Sequence, residues 1–499
     1  MSESKTYKIP EEIVFVANTL QGRGFQAFLV GGCTRDLLLG NKPKDWDITT
    51  NAKPEEIIAL FQKTFYENDY GTVGVVNEST TDETLKIVEV TPFRLEAKYS
   101  NQRHPDSVNF SDKLEEDLKR RDFTINAIAI EIGEKLNSEF KCKIIDLYKG
   151  QEDLANRVIR TVGKPGERFT EDTLRILRAV RLASELDFKI EAETAKSIEE
   201  TASGLEKIAK ERIRDEFSRI IMSDRPKEGI ELCLKLGILQ YVMPILLKTV
   251  GVTQNKAHSY DVWEHTLRAL QHGATKKLAL EVRLAVLLHD IAKPQTRRWS
   301  EEKKEWTFHG HEVVGVRLAT EALATLKFSK KIMDKVLKLV RWHMFFSDTE
   351  QISLSAVRRI VASVGKENIW DLMDVRVCDR IGTGRPKETP YRLRKYKSMI
   401  EEAMHDPISV GMLKIDGKKI MDVTKLDPSP KIGHILHALL QEVLENPKLN
   451  TVDFLENEAV RLSKISEKEL ATIGEEAKTK KDKEEDKQIE EIRKKYWVK

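Results

Sequence analysis

Two adjacent glycines, Gly31-Gly32, close the apolar run Phe28-Leu29-Val30, and they constrain this chain more than any other feature. Such a run reads as a buried strand, and a glycine pair at its end lets the backbone turn sharply. A helix-like stretch, Cys33-Thr34-Arg35-Asp36-Leu37-Leu38-Leu39-Gly40, comes next, and Asp45-Trp46-Asp47 follows it. In a strand, side chains at i and i+2 share a face. Asp45 and Asp47 are therefore predicted to converge on one point and hold divalent metal, with the Gly31 and Gly32 amides near enough to touch a phosphate. An isolated Asp-x-Asp is most simply a solvent-facing pair. At this spacing from Gly31-Gly32, Arg35-Asp36 and Leu38-Leu39-Gly40, the metal-binding reading is preferred.

Single cores rarely grow past about 250–300 residues, so a chain of 499 residues is expected to hold several domains. A third of the residues are charged, nearly in balance at a formal +3, and this excludes neither an RNA nor a small-molecule partner. Four scattered cysteines give no metal-type pair spacing and no disulfide framework, which fits a reducing compartment and a cytoplasmic location. The N-terminus carries no charged-then-apolar signal pattern, and no apolar run approaches the ~18 residues of a membrane span. No membrane partner is expected.

Residues 1–150 mix strands (Phe28–Val30, Thr72–Val76, Lys86–Thr91, Lys143–Leu147) with helices at Pro10–Leu20 and Pro54–Phe61, each opened by a proline. From 151 the helical period takes over, in Glu171–Leu186, Glu191–Thr201, Lys207–Met222 and Pro226–Leu236. Near Val250–Lys256 the pattern breaks, and seven of the eleven histidines then fall between His258 and His343. That enrichment marks a separate module. The expected division is a head (1–150), a helical neck and body (151–250), a histidine-rich domain (251–395) and a helical C-terminal region (396–499) ending in a solvated Lys/Glu-rich run from about Glu467.

Phosphoryl-type transfer needs charge neutralisation and alignment more than covalent help from the protein. Two aspartates on one strand face suit two Mg²⁺, one activating the attacking hydroxyl and one holding a triphosphate. Arg35, at the start of the helix after Gly32, offers the triphosphate a fork of donors. Glu89 reads either as a third metal-facing carboxylate or as a solvent-facing charge on an edge strand, and the second reading is preferred. The polar segment Arg94–Pro105 reads as a mobile loop beside the site. In Asp117-Leu118-Lys119-Arg120-Arg121-Asp122-Phe123-Thr124-Ile125-Asn126, Arg121 is expected to meet phosphate or ribose, with Asp122 and Asn126 fixing its neighbours.

A third string, Glu171-Asp172-Thr173-Leu174-Arg175-Ile176-Leu177-Arg178-Ala179-Val180-Arg181, is predicted to be helical, so that Asp172, Arg175 and Arg178 form a slanting stripe. Cytosine and adenine both present an exocyclic amine beside an unprotonated ring nitrogen. Asp172 accepting from the amine and Arg175 donating to the ring nitrogen would admit C and A and reject U and G. The plainer alternative is an i,i+3 salt bridge on a helix surface.

The Gly-Gly/Asp-x-Asp segment, the Arg-Arg-Asp-Phe-Thr-Ile-Asn string and the Glu-Asp-x-x-Arg element closely resemble the motifs of class II tRNA nucleotidyltransferases and bacterial poly(A) polymerases. The resemblance implies an α+β fold: a polymerase-β-like nucleotidyltransferase head with a mixed sheet, followed by all-α neck, body, HD domain and tail. It implies Asp45 and Asp47 as catalytic Mg²⁺ ligands, and Gly32, Arg35, Arg121, Asp172, Arg175, Arg178 and Arg181 as nucleotide-binding. Arg181 lies on the far side of an ideal helix from Asp172. Further on, His265, His289-Asp290 and Asp379 resemble the metal-binding order of HD-superfamily phosphohydrolases, and they suit a second divalent transition metal. Phe308-His309-Gly310-His311-Glu312 and His343 add ligands for a further metal or a substrate phosphate.

The expected function is therefore template-independent CCA addition to tRNA 3′ ends from CTP and ATP, releasing pyrophosphate, with an accessory HD phosphohydrolase activity. The tRNA acceptor arm is expected to be gripped through its phosphates. The nearest alternative is a poly(A) polymerase or an enzyme adding only CC or only A. Another is an HD phosphohydrolase with a nucleotide-sensing N-terminal domain. A non-enzymatic RNA chaperone gives no reason for paired carboxylates facing anionic RNA.

Overall fold

The N-terminal sheet takes its strands from eight short segments: β1 (Ser4–Tyr7), β2 (Ala27–Val30), β3 (Asp47–Thr50), β4 (Thr64–Tyr66), β5 (Val73–Val76), β6 (Ile87–Pro92), β7 (Ile128–Leu136) and β8 (Glu139–Asp146). Their order is β1-β8-β7-β2-β3-β6-β5-β4. Every neighbouring pair is antiparallel except β3 and β6, so the sheet is mixed as expected. The structure is a computed structural model and describes residues 4–66, 71–95, 110–255, 258–344, 352–466 and 469–470. Most of the expected Arg94–Pro105 loop and of the terminal Lys/Glu run lies outside the described residues.

Four apolar residues of β2 are all buried because the strand has neighbours on both edges. Phe28, Val30, Phe93, Leu114, Leu118 and Ala129 pack together beneath the sheet. The strand expected at Lys143–Leu147 is the second half of the longer β8. Its partner β7 has no counterpart among the predicted strands, although Ile128, Ile130 and Ile132 alternate as a strand requires.

Helices dominate after the sheet. Ala192–Thr201, Lys210–Met222 and Pro226–Lys235 lie where the helical period places them. The helix expected over Glu171–Leu186 is instead two, Pro165–Glu171 and Arg175–Leu186, with Asp172 extended between them at φ −139°. The Asp172 carboxylate Oδ1 accepts from the Leu174 amide at 3.1 Å. A short acidic side chain that binds nearby backbone competes with helix continuation, and here it wins. The helical part also holds two small β pairs, Val158–Ile159 with Lys189–Ile190 and Arg298–Ser300 with Glu305–Thr307.

The chain divides into two compact units after Pro244. In the second, the helix Val262–Thr275 packs on Ile369–Gly382 so closely that a Cβ on Gly382 would stand 2.6 Å from the His265 carbonyl oxygen. Helix Leu354–Val364 is tied to the C-terminal helices by Arg358, whose Nε donates to Asp406 at 2.6 Å and whose Nη1 donates to the Leu444 carbonyl at 3.2 Å. No helix among the described residues is long and apolar enough to cross a membrane.

Candidate active site

β2 delivers the backbone to Gly31, which has φ +75° and ψ −136°, a conformation open almost only to glycine. Space demands the same residue, since a Cβ there would lie 3.1 Å from Asp47 Oδ2 and 3.4 Å from Arg121 Nη1. Gly32 then starts the helix Gly32–Leu38. Asp47 opens β3, while Asp45 stands exposed in the bend just before it rather than on the strand. The parallel register sets Asp47 directly beside Glu89 of β6. β6 lies between β3 and β5, so the edge-strand reading of Glu89 is corrected, and its carboxylate lines the cavity with Asp45 and Asp47. Burial and the neighbouring Asp45 raise Asp47 to about 6 against the opposing guanidinia of Arg121 and Arg35. A carboxylate kept partly protonated by its surroundings is one that gains when a cation arrives. The donors are hard oxygens with a second acid at hand, which fits Mg²⁺.

Arginines complete the cavity, and each is braced. Arg35 donates through Nη1 to Asn126 at 3.0 Å and pairs with Asp36 at 2.8 Å. Arg121 is held by the fully buried Asp117 at 2.9 Å, which also takes Arg120 and the Thr49 hydroxyl. Burial opposes the charge on Asp117, yet Arg121 and Arg120 hold its carboxyl below the usual range. Asp122 is buried, accepts from the Phe123 amide at 2.9 Å and receives Arg178 Nε at 2.7 Å. The expected fixing roles of Asp122 and Asn126 thus fall on Arg178 and Arg35, not on Arg121.

Asp172 does not bridge to Arg175. Its Oδ2 takes Arg212 Nη2 at 3.1 Å, from the helix Lys210–Met222. Arg175 reaches Glu171 at 2.9 Å and the Arg120 carbonyl at 3.0 Å. The one-helix stripe is therefore corrected, but Asp172, Arg175, Arg178, Arg181 and Arg212 still line one cavity of about 1030 Å³ with Gly31, Gly32, Asp45 and Asp47. Arg181 is buried and paired with Glu216 at 3.4 Å. Arg212 and Glu216 are the residues the sequence reading missed. Their only signal was an i,i+4 Arg/Glu spacing, which ordinarily marks a surface pair.

The second unit holds a buried histidine–aspartate centre. His265 Nε2 lies 3.1 Å from His289 Nε2, 3.1 Å from Asp290 Oδ2 and 3.4 Å from Asp379 Oδ1. On the other side, Asp290 Oδ1 is 3.2 Å from His311 Nε2 and 3.8 Å from His343 Nε2. His265, His289 and Asp379 form one ligand group and Asp290, His311 and His343 another, with the two Asp290 oxygens turned to different groups. The Nδ1 atoms of His289, His311 and His343 each donate to a carbonyl at 2.7 Å, of Val286, Phe308 and Val340. A carbonyl only accepts, so each Nε2 is left as a lone pair. Lone pairs opposed at 3.1 and 3.2 Å require a cation between them. Burial together with His289 and His311 pushes His343 well below its ordinary value, which keeps it a neutral ligand. Four ligands expected from sequence meet here. His311 and His343 join them, whereas His309 stays exposed on the cavity wall.

Comparison with known proteins agrees with this geometry. Residues 27–160 match the Poly A polymerase head domain, 187–249 the probable RNA and SrmB-binding site of polymerase A, and 262–383 the HD domain. The CCA-adding enzyme of Lactococcus lactis subsp. lactis is 43% identical over 450 residues, 89% of this chain and 96% of that protein. The CC-adding tRNA nucleotidyltransferase of Thermus thermophilus is 31% identical over 433 residues, 84% of this chain and 90% of its own length. Among solved structures, the Bacillus stearothermophilus CCA-adding enzyme in complex with CTP superposes with a TM-score of 0.66 at 26% identity, covering 90% of this chain and 96% of that one. With two carboxylates and a braced set of arginines around one cavity, and relatives matched over nearly their full length, the chain belongs to the CCA-adding enzyme family of tRNA nucleotidyltransferases.

Proposed function

We propose that this protein adds C, C and A in turn to the 3′ end of tRNA from CTP and ATP, releasing pyrophosphate, in the cytoplasm. The observation that carries the proposal is the meeting of Asp45, Asp47 and Glu89 with Asp172, Arg175 and Arg178 in a single cavity. Asp45 and Asp47 hold Mg²⁺, with Glu89 beside them. Bound there, Mg²⁺ lowers the pKa of the attacking hydroxyl and neutralises the charge of the leaving pyrophosphate. Arg35 and Arg121, pre-aimed by Asp36, Asn126 and Asp117, bind the triphosphate without having to reorganise. Gly32 leaves its amide open to a phosphate oxygen. Asp172 accepts from the exocyclic amine and Arg175 donates to the ring nitrogen of C or A. Arg178 and Arg181 line the same wall, and Arg212 keeps the Asp172 carboxylate turned toward the base. The finer division into head (1–150), neck and body (151–250), HD domain (251–395) and tail (396–499) goes with this reading, the helices after the head gripping the acceptor arm.

The test is a tRNA transcript lacking its last three nucleotides, supplied with single and paired triphosphates and Mg²⁺. Ordered incorporation of two C and one A is expected, with no extension by UTP or GTP. Poly(A) tailing of unstructured RNA without CTP use would replace the proposal with a poly(A) polymerase, and arrest after CC with a CC-adding enzyme.

A second activity is favoured by the opposed imidazoles around Asp290. His265, His289, Asp290 and Asp379, with His311 and His343, hold divalent transition metal and hydrolyse a phosphate ester or anhydride. Metal at such a centre supplies an activated water and polarises the phosphoryl oxygen.

A further inference from the structure

The histidine–aspartate centre forms the floor of a cavity of about 790 Å³, a size that fits a nucleotide rather than a bare phosphate. Its charge is unusual. Arg376 and Arg380 stand one helical turn apart on the helix that carries Asp379, and Arg385 follows that helix into the same wall. Like charges at i,i+4 cost a few tenths of a kcal/mol, so their clustering needs a reason. Arg376 donates to Asp379 at 2.6 Å, and Arg380 Nε is used on the Lys387 carbonyl at 2.8 Å. Arg385 is exposed and makes no ion pair among the described residues. Burial, then Arg385 and Arg376, lowers Arg380, as expected where guanidinia crowd one another. Lys293 and Lys303 add two ammonium groups to the lining.

A phosphate monoester brings at most two negative charges. Two divalent ions on the centre, set against Asp290 and Asp379, already satisfy that much, leaving the Arg380–Arg385 cluster without a counter-charge. Further anionic groups must lie above the floor, on the arginine side. Aromatic rings mark the other requirement. Trp306, on the hairpin strand Glu305–Thr307, lines the cavity with the Arg297 guanidinium stacked 3.8 Å from its ring centre. Tyr391 stands at the mouth, 66% exposed. Large aromatic rings beside a cationic cluster are what a nucleobase and its phosphates need.

We infer that the HD centre takes a nucleoside di- or triphosphate and hydrolyses its terminal phosphoanhydride, with Arg380 and Arg385 on the phosphate chain and Trp306 and Tyr391 on the base. The inference rests on the proposed phosphohydrolase activity and names its substrate class. Water oxygen bonds to the terminal phosphorus, and the bond from that phosphorus to the bridging oxygen breaks. The electron pair leaves with the shortened nucleotide, and the proton of the water goes to solvent. Orthophosphate and a nucleotide one phosphate shorter are the products. No reactant besides water is consumed.

The experiment uses the full chain loaded with Mn²⁺ and offers ATP, ADP, 2′,3′-cyclic AMP, p-nitrophenyl phosphate and an RNA ending in a 3′-phosphate. Orthophosphate release from ATP and ADP, at least tenfold faster than from the esters and lost in Asp290→Ala, is expected. A binding measurement runs beside it: 8-azido-ATP is crosslinked to the full chain in Ca²⁺, and the labelled peptides are mapped by mass spectrometry. Labelling of the peptides bearing Trp306 and Tyr391 is expected, falling at least tenfold in an Arg380→Ala/Arg385→Ala double variant. Hydrolysis of the esters or of the RNA end with ATP and ADP untouched overturns the substrate class and keeps the phosphohydrolase. No hydrolysis of any substrate overturns both, whether or not the peptides are labelled. Labelling that the double variant leaves unchanged overturns the arginine assignment.

Discussion

Folding places Asp47 where its own charge is disfavoured, and the consequence is measurable in the metal-free protein. With its pKa at about 6 in the folded chain and 3.8 in the unfolded one, the folded state holds a proton between those values that the unfolded state has released. Stability from this group is therefore greatest below pH 4 and is lost as pH rises toward 6. A shift of this size corresponds to at most about 3 kcal/mol. Asp47→Asn is expected to raise the melting temperature at pH 7 in EDTA, to flatten its pH dependence between 4 and 6, and to abolish nucleotide addition. Parallel melting profiles for the two proteins would refute the assignment. Gly31→Ala tests the neighbouring constraint. Backbone in this region costs about 1–3 kcal/mol for a residue with a Cβ, and the new methyl meets Asp47 Oδ2 at 3.1 Å. Loss of stability in that range is expected, with addition slowed at least tenfold in a primer-extension assay.

At the scale of elements, two breaks in regular structure matter most. The interruption at Asp172 separates the helices Pro165–Glu171 and Arg175–Leu186 and frees the carboxylate for Arg212. Asp172→Ala is expected to lose the discrimination of CTP and ATP against UTP and GTP, read as the ratio of kcat/KM values. Removing the Leu174 acceptor adds about 1 kcal/mol of destabilisation. The helix after the break is bolted to the head segment by Arg178 on Asp122. Arg178→Ala leaves that buried carboxylate without its charged partner and is expected to cost about 3–5 kcal/mol, measured by urea unfolding. In the second unit, the close approach at Gly382 brings the helix carrying His265 against the one carrying Asp379. Apolar spacing foretold most of these helices because it repeats over many residues. It did not foretell the break at Asp172, which a single side-chain hydrogen bond decides, nor β7, whose isoleucines adjoin a functional string.

Across the molecule, the two compact units carry separate chemistries, and single substitutions should separate them. Asp45→Ala is expected to abolish nucleotide addition while metal analysis still finds transition metal on the chain. Asp290→Ala is expected to remove that metal, because its two oxygens face both ligand groups. Sequence alone determined the α+β class, the order of the modules, the Asp45/Asp47 pair, the arginine set and the first four metal ligands. Each of these depends on residues near one another in the chain, where spacing fixes geometry. Tertiary structure alone decided that Glu89 stands beside Asp47, that Arg212 rather than Arg175 holds Asp172, that Asp122 serves Arg178, and that His311 and His343 complete the centre around Asp290. Those partners lie up to 89 positions apart. No local period records which of many charged side chains will be buried together, since the choice follows from strand register and helix packing.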